Sequence, residues 1–289
     1  QKSIQGHNFS AKVGVTGDYF RSEGNSITRN GYFEDNGIYD INIAPQTNVQ
    51  TEGGQGQWGL YAYLSRIAYD YKGKYLFDLV GRRDVSSRFA EGYKALNYAG
   101  VSAGWVISEE SFLKGASFLS FLKIKASYGE TGNQAGIDQF SYLSTVAPSR
   151  QLFGASPALQ SSASIPNIID PTVTWERINM TNFGTEFSLF DFKLSGSFDY
   201  YLRNNSGMLI AVEYGSIMGN DGIGPLTNSG DLDAHGWEAA LGWKDRVGDV
   251  TFSVSANMSD SRNKIVRLDG ANIPVLNTEG INIEGYPIG

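Results

Sequence analysis

Cysteine is absent from the 289 residues, which removes disulfides, thiolate metal sites and cysteine nucleophiles at once. Charge is also scarce, at 18% of residues, below the usual quarter of a soluble domain. Only two histidines occur, His7 and His235. Neither stands in a metal-ligand cluster, and both read as surface or loop residues. No run approaches the eighteen or so consecutive apolar residues of a membrane helix, so a helical membrane protein is excluded. The net charge of -7 supplies no basic cluster to neutralise phosphate, and no nucleic-acid partner is expected. A secretory leader is missing too. Gln1 opens directly into polar sequence, so a leader was removed or these residues begin partway along a longer chain.

What is present in quantity is glycine, with 35 residues, and aromatics, at 13%. They are embedded in an alternation of period two. In residues 191–203, Phe192, Leu194, Gly196, Phe198, Tyr200 and Leu202 share one face, and Lys193, Ser195, Ser197, Asp199, Tyr201 and Arg203 the other. In residues 249–259, Val250, Phe252, Val254, Ala256 and Met258 oppose Thr251, Ser253, Ser255, Asn257 and Ser259. Successive strand side chains point to opposite faces, so these are strands with one apolar side. Residues 11–20, 99–107, 122–128, 182–188 and 237–244 follow the same rule. Residues 57–71 and 74–84 alternate less cleanly, as a bulge or a contact with a plug would produce. Nine candidate strands result. The one helical signal is residues 108–113, where Ser108 is placed to cap a single turn carrying Glu109 and Glu110.

Alternation alone also suits a soluble β-sandwich. The connections discriminate. Residues 71–73, 189–190 and 245–248 are tight turns, and 108–118 is intermediate; between them lie the long segments 22–56, 85–96, 129–173 and 204–234. Long and short connections therefore alternate along the chain. In an up-and-down barrel that parity trims one rim and elaborates the other, the outer-membrane arrangement of short periplasmic turns and long extracellular loops. Phe192 and Trp243 flank the short turns, while Tyr19, Tyr128, Tyr200 and Trp237 lie near the opposite ends, as aromatic rings at headgroup depth do. The fold class expected is all-β, an antiparallel transmembrane β-barrel segment whose apolar face meets outer-membrane lipid. Nine strands would leave two unpaired edges in hydrocarbon, so the rest of the wall is expected from residues outside this stretch.

Three ordered motifs carry a family resemblance: Arg83-Asp84-Val85-Ser86-Ser87-Arg88-Phe89, then Val101 to Leu113 with Gly104-Trp105 and Ser108-Glu109-Glu110, then Leu122 to Asn133 ending Tyr128-Gly129-Glu130-Thr131-Gly132-Asn133. Thr174-Trp175-Glu176, Asn182-Phe183-Gly184, Asp199-Tyr200-Tyr201, Met208-Leu209 and Gly236-Trp237-Glu238 continue in order. From about Tyr61 to Leu268 the chain resembles the SusC/RagA family of TonB-dependent outer-membrane transporters of Bacteroidetes. Val85 departs from the glycine usual in the family after the aspartate. The resemblance implies a barrel of about 22 strands plugged by an N-terminal domain. It also implies a TonB-engaging segment and a SusD-like surface lipoprotein as a lid. Residues 1–289 are then expected to be part of the barrel domain, with the plug and final barrel strands not among them.

The function implied is active import of an oligomeric nutrient, glycan or peptide, with no bond broken and no cofactor. The rivals are a structural barrel in a larger envelope complex and a secreted β-rich carbohydrate-binding protein. No catalytic or metal-binding set assembles. The glycine-rich Gly219-Asn220-Asp221-Gly222-Ile223-Gly224 lacks the Lys-Ser/Thr of a phosphate loop, and Asp231 and Asp233 lack calcium-loop spacing. Asp84, Asp199 and Glu238 read as hydrated lumenal charges, open to pairing with plug arginines; Lys123 and Lys125 have the same status. Tyr142, Phe153 and Tyr214, with polar neighbours such as Asn220, are the candidate substrate contacts, because binding residues concentrate on loops.

Overall fold

The structure is a computed structural model and describes residues 2–29, 40, 49–144, 146–153, 158–164, 168–213, 223–269, 275–277 and 280–288. Its strands are β1 (Lys2–Ile4), β2 (His7–Arg29), β3 (Val49–Tyr71), β4 (Tyr75–Ser86), β5 (Ala95–Val106), β6 (Leu119–Asn133), β7 (Ala147–Phe153), β8 (Ala158–Ser164), β9 (Glu176–Leu189), β10 (Leu194–Glu213), β11 (Ile223–Val247), β12 (Val250–Leu268), β13 (Val275–Asn277) and β14 (Gly280–Asn282). One antiparallel sheet runs β1-β2-β3-β4-β5-β6-β9-β10-β11-β12, and β7-β8 and β13-β14 are separate hairpins. The nine long strands are those expected. β1 adds the stub of a tenth, and the β7-β8 hairpin occupies the connection between β6 and β9.

Cross-strand register carries one apolar face through the whole sheet. Val15 pairs with Tyr63, Ala11 with Ile67, Ile67 with Leu79 and Leu79 with Val101. Val101 pairs with Tyr128, Ala126 with Phe183, Phe183 with Tyr200, Tyr200 with Trp237, and Trp243 with Val254. This face is bare: Val13 is 87% exposed, Val254 66% and Phe183 53%. Side chains of this kind left in water would lose roughly 1.5–3 kcal/mol each of transfer free energy, so this surface belongs in hydrocarbon. The opposite face lines a hollow.

The turns divide largely as expected, except that residues 107–118 at the short-turn rim outnumber residues 87–94 at the opposite one. Ile4 pairs with His7, Tyr71 with Tyr75, Leu189 with Leu194 and Val247 with Val250 across short links. Lys72 and Gly73 both hold positive φ, 53° and 68°, and the Lys74 N–H donates to the Tyr71 carbonyl at 2.9 Å. That is the primed turn whose twist matches the flanking strands. At this rim the rings form a continuous girdle. His7–Tyr71 centroids are 4.5 Å apart, Phe9–Tyr69 4.8 Å, Tyr71–Tyr75 6.3 Å and Tyr75–Trp105 6.3 Å. His7 is thus a strand residue of the girdle rather than a loop histidine, with its Nδ1 2.9 Å from the Tyr69 hydroxyl.

Several expectations need correction. The strands reach further toward the long-loop rim, to Arg29, Val49, Glu213 and Ile223. Beyond the hydrocarbon both faces meet water, and the alternation that marks a strand disappears from the sequence. β3 and β4 contain no bulge and stay in register throughout. Their pattern is blurred because Leu60, Leu64, Leu76 and Val80 put apolar side chains on the hollow face as well. Register shifts occur instead beside Leu119, Met208 and Leu232. Phe192 belongs to the turn before β10, at φ 64°. A 3-10 turn does form at Ile107–Glu109, but Ser108 makes no cap. The acid that matters is Glu110, which accepts from the Tyr75 hydroxyl at 2.7 Å, Trp105 Nε1 at 3.2 Å and Lys74 Nζ at 3.3 Å.

Two tests follow from this geometry. Phe198 lies on the apolar face and Ser197 on the hollow one. Phe198→Arg should remove about 2–4 kcal/mol of assembly stability if near mid-depth, while Ser197→Arg assembles close to wild type. Equal folded fractions on heat-modifiability gels would overturn the assignment of faces. The second test concerns Glu110. Its hydrogen bonds from Tyr75 and Trp105, then its contact with Lys74, hold the carboxyl below its ordinary 4.5. A depressed folded-state pKa stabilises above the unfolded value and is lost as pH falls through the folded one. Glu110→Gln should therefore lower the thermal midpoint at neutral pH, and the gap should shrink progressively as pH falls below the ordinary carboxylate range. A gap that persists unchanged in acid would exclude this carboxylate as the cause.

Candidate functional site

The hollow face borders an open concavity of about 1300 Å³. On this face lies an ion network spanning three strands. Lys125 on β6 lies 3.0 Å from Glu186 on β9 and 3.1 Å from Asp199 on β10. Lys123 stands 3.7 Å from Glu186. Register explains the crossing: Lys125 pairs with Gly184 and Gly184 with Asp199. A Cβ on Gly184 would strike both Asp199 and Lys125, so the ion pair passes over a strand that offers no side chain. Asp199 and the two lysines are therefore paired within the wall. Glu238 lines the hollow. Asp84 is not a hydrated charge: it is only 4% exposed, receives Arg82 Nε at 2.6 Å and the Tyr98 hydroxyl at 2.8 Å.

At the long-loop rim the connections fold inward. Phe89, Leu96, Ile137, Val173 and Trp175 bury one another in a small core, with Phe89 and Trp175 rings 5.1 Å apart. Trp175 Nε1 donates to the Lys94 carbonyl at 3.0 Å. Glu176 caps the break in the ladder beside Gly207, accepting from the Leu209 N–H at 2.8 Å and Asn133 Nδ2 at 2.7 Å. Asn228 completes it, accepting from the Thr174 N–H at 2.8 Å while donating to the Thr174 and Gly207 carbonyls at 2.9 and 2.7 Å. Asp231, weighed above as a cation ligand, accepts from the Gly207 N–H at 2.9 Å and from Arg267 Nε at 2.8 Å. Among the described residues no group of three or more His, Asp or Glu side chains is arranged to hold a metal ion.

The candidate contacts are dispersed. Tyr142 sits half-buried in a turn near Lys94. Phe153 ends β7, and Tyr214 and Asn220 lie outside the described residues. Sequence reasoning missed the roles of Arg88, Glu176, Asn228 and Glu186: the partners of Glu186 follow from cross-strand register, whereas Arg88 and Asn228 bond to residues of the connections.

No family model matches the chain. It is similar to the TonB-dependent receptor P39 of Formosa agariphila, 31% identical over 82% of this chain and 22% of the receptor. It is also similar to the TonB-dependent receptor SusC of Bacteroides thetaiotaomicron, 28% identical over 93% of this chain and 26% of the receptor. The RagAB peptide importer in its closed-closed state superposes on 99% of this chain and 31% of its own, with TM-score 0.82 and 25% identity. The chain belongs to the SusC/RagA family of TonB-dependent outer-membrane transporters. It spans about a quarter of the length of the curated relatives it matches, at 22% and 26%. For this SusC/RagA segment the wall lies in the outer membrane, with the short-turn rim at the periplasm and the long loops outside.

The inward-folded core has a direct test. A Cβ on Gly132 would collide with Leu96 and come within 3.0 Å of Trp175 Cε3. Gly132→Ala should cost about 1–3 kcal/mol at the mouth. Proteolysis of the connection between β6 and β9 should accelerate in the intact barrel, and Leu96→Ala should partly restore protection. Unchanged cleavage would show that the loops do not pack there.

Proposed function

We propose that this SusC/RagA wall serves TonB-dependent active import of an oligomeric nutrient, glycan or peptide, as the barrel of a SusCD-type complex. The observation that carries the reading is the wall itself. One face is apolar and bare, the other lines a hollow that carries the charged side chains, and the longest connections, between β2 and β3 and between β6 and β9, lie at a single rim. A wall of that kind gives passage and breaks no bond. Residues 1–289 are part of the transmembrane barrel domain, the plug and final strands lying elsewhere in the protein. Energy enters through that plug and TonB, and a SusD-like surface lipoprotein closes the outer mouth, where Tyr142, Phe153 and Tyr214 remain the loop residues offered for substrate contact.

The test is made in the native cell with the full-length protein. Deleting its gene should abolish uptake of one class of labelled oligomer, and inactivating TonB should abolish the same uptake. A surface lipoprotein should co-purify with the tagged protein in mild detergent. Uptake that survives both deletions, for oligosaccharides and peptides alike, would overturn the import reading and favour a structural barrel.

A further inference from the structure

An unpaired charge interrupts the lipid-facing side of the wall. Arg83 on β4 has the parity of Leu79, which pairs with Ile67 and Val101 on that side. Its direct cross-strand partners are Tyr63 on β3 and Asn97 on β5, and Tyr61 stands diagonally above it, opposite Val85. Around them the same face presents Ser65, Gly81, Ala95 and Ala99. None of these neighbours is acidic. Arg21 and Arg262, also on the outer face, reach Glu23 and Asp260, whereas Arg83 has no ion pair among the described residues.

Depth makes the missing counter-charge matter. Arg83 lies roughly 20 Å up the wall from Tyr75 at the rise and tilt of such strands, and the apolar band of these barrels is about 25 Å tall. Tyr61, 64% exposed, stands further out, so the guanidinium must rise toward headgroup depth beside that ring. There it has company. The Asn97 amide and the Tyr61 and Tyr63 hydroxyls make no hydrogen bond among the described residues, and Tyr63 is 58% exposed. Four side chains able to donate thus lie side by side in register with no carboxylate among them. A planar guanidinium with flanking neutral donors suits the oxygens of a phosphate.

We propose that Arg83, Asn97, Tyr61 and Tyr63 bind the phosphate of a membrane glycolipid on the outside of the wall. The site lies on the half of the wall nearer the long-loop rim, so its lipid comes from the outer leaflet. One row below Arg83 the face narrows to Ser65, Gly81 and Ala99, paired in register, and the next row restores Ile67, Leu79 and Val101. The step left by the small side chains receives an acyl chain running down from the phosphate. Headgroup and tail are then held by the same three strands, and the arginine gains the anion that the protein does not supply. The inference concerns the lipid face alone and does not depend on the import reading.

The experiment uses the full-length protein extracted from its own outer membrane in mild detergent, with native mass spectrometry reading the lipid bound to each barrel. Wild type should retain a phosphorylated glycolipid. Arg83→Gln should lower the retained fraction about tenfold, and Tyr63→Phe and Asn97→Ala should lower it less. Arg203→Gln, which changes an arginine of the hollow face, should leave it unchanged. Delipidated wild type should then rebind monophosphoryl lipid A and not the same lipid freed of its phosphate. Arg83→Lys should keep part of that binding, and it reads the site even where Arg83→Gln assembles poorly. Wild type free of lipid, a glycerophospholipid in its place, equal loss in Arg83→Gln and Arg203→Gln, or equal rebinding of the two lipid A forms would overturn the site.

Discussion

Everything in this structure depends on the requirement that backbone N–H and C=O groups in hydrocarbon be paired within the protein. An unpaired group there costs several kcal/mol, so long strands must hold an unbroken ladder. From Arg29 paired with Val49 down to His7 paired with Tyr71, β2 and β3 do so without a shift. A ladder of that length leaves no freedom of register, because a slip by one residue would turn every apolar side chain to the hollow and every polar one to lipid. Register, in turn, makes the site. Lys125, Gly184 and Asp199 come from three strands and meet only because the pairing of each strand fixes that of the next.

Where the ladder breaks, side chains replace it. The shifts around Ser206 to Leu209 lie toward the outer rim, and there Glu176 takes the Leu209 N–H while Asp231 takes that of Gly207. Asn228 does the same for Thr174. A buried amide left unmade would cost about 1–3 kcal/mol, and a carboxylate or amide side chain is the economical replacement. The same logic explains why the loops turn inward rather than stand in water. Trp175 and Phe89 cannot bury themselves on a sheet whose outer face belongs to lipid, so they make their core inside the mouth.

The sequence revealed the strands wherever their two sides face different solvents, and lost them where they do not. The alternation of Val250, Phe252, Val254, Ala256 and Met258 marks β12 because lipid and water lie on opposite sides. Val49 to Gln57 carries no such contrast, yet it is as fully paired as the rest. Leu64 and Val80 blurred β3 and β4 for the converse reason, being apolar on the water side. Of the site, single residues such as Asp199 and Lys125 could be placed on the hollow face by parity. Their partnership could not, since residues 74 positions apart in the chain are joined only by the intervening strand. Asp84 was misread for a related cause: its cover comes from Arg82 and Tyr98, neither of which declares itself as a lid in the sequence.

The motifs that identify the family are largely consumed by this scaffolding. Trp175 and Glu176 hold the mouth, Gly132 makes room for Trp175, Gly184 makes room for the ion pair, and Trp105 and Glu110 anchor the periplasmic rim. Residues spent on keeping a wall intact are not free to distinguish one cargo from another, so a motif match specifies architecture and leaves selectivity open. Discrimination has to come from side chains that the ladder, the core and the girdle do not need.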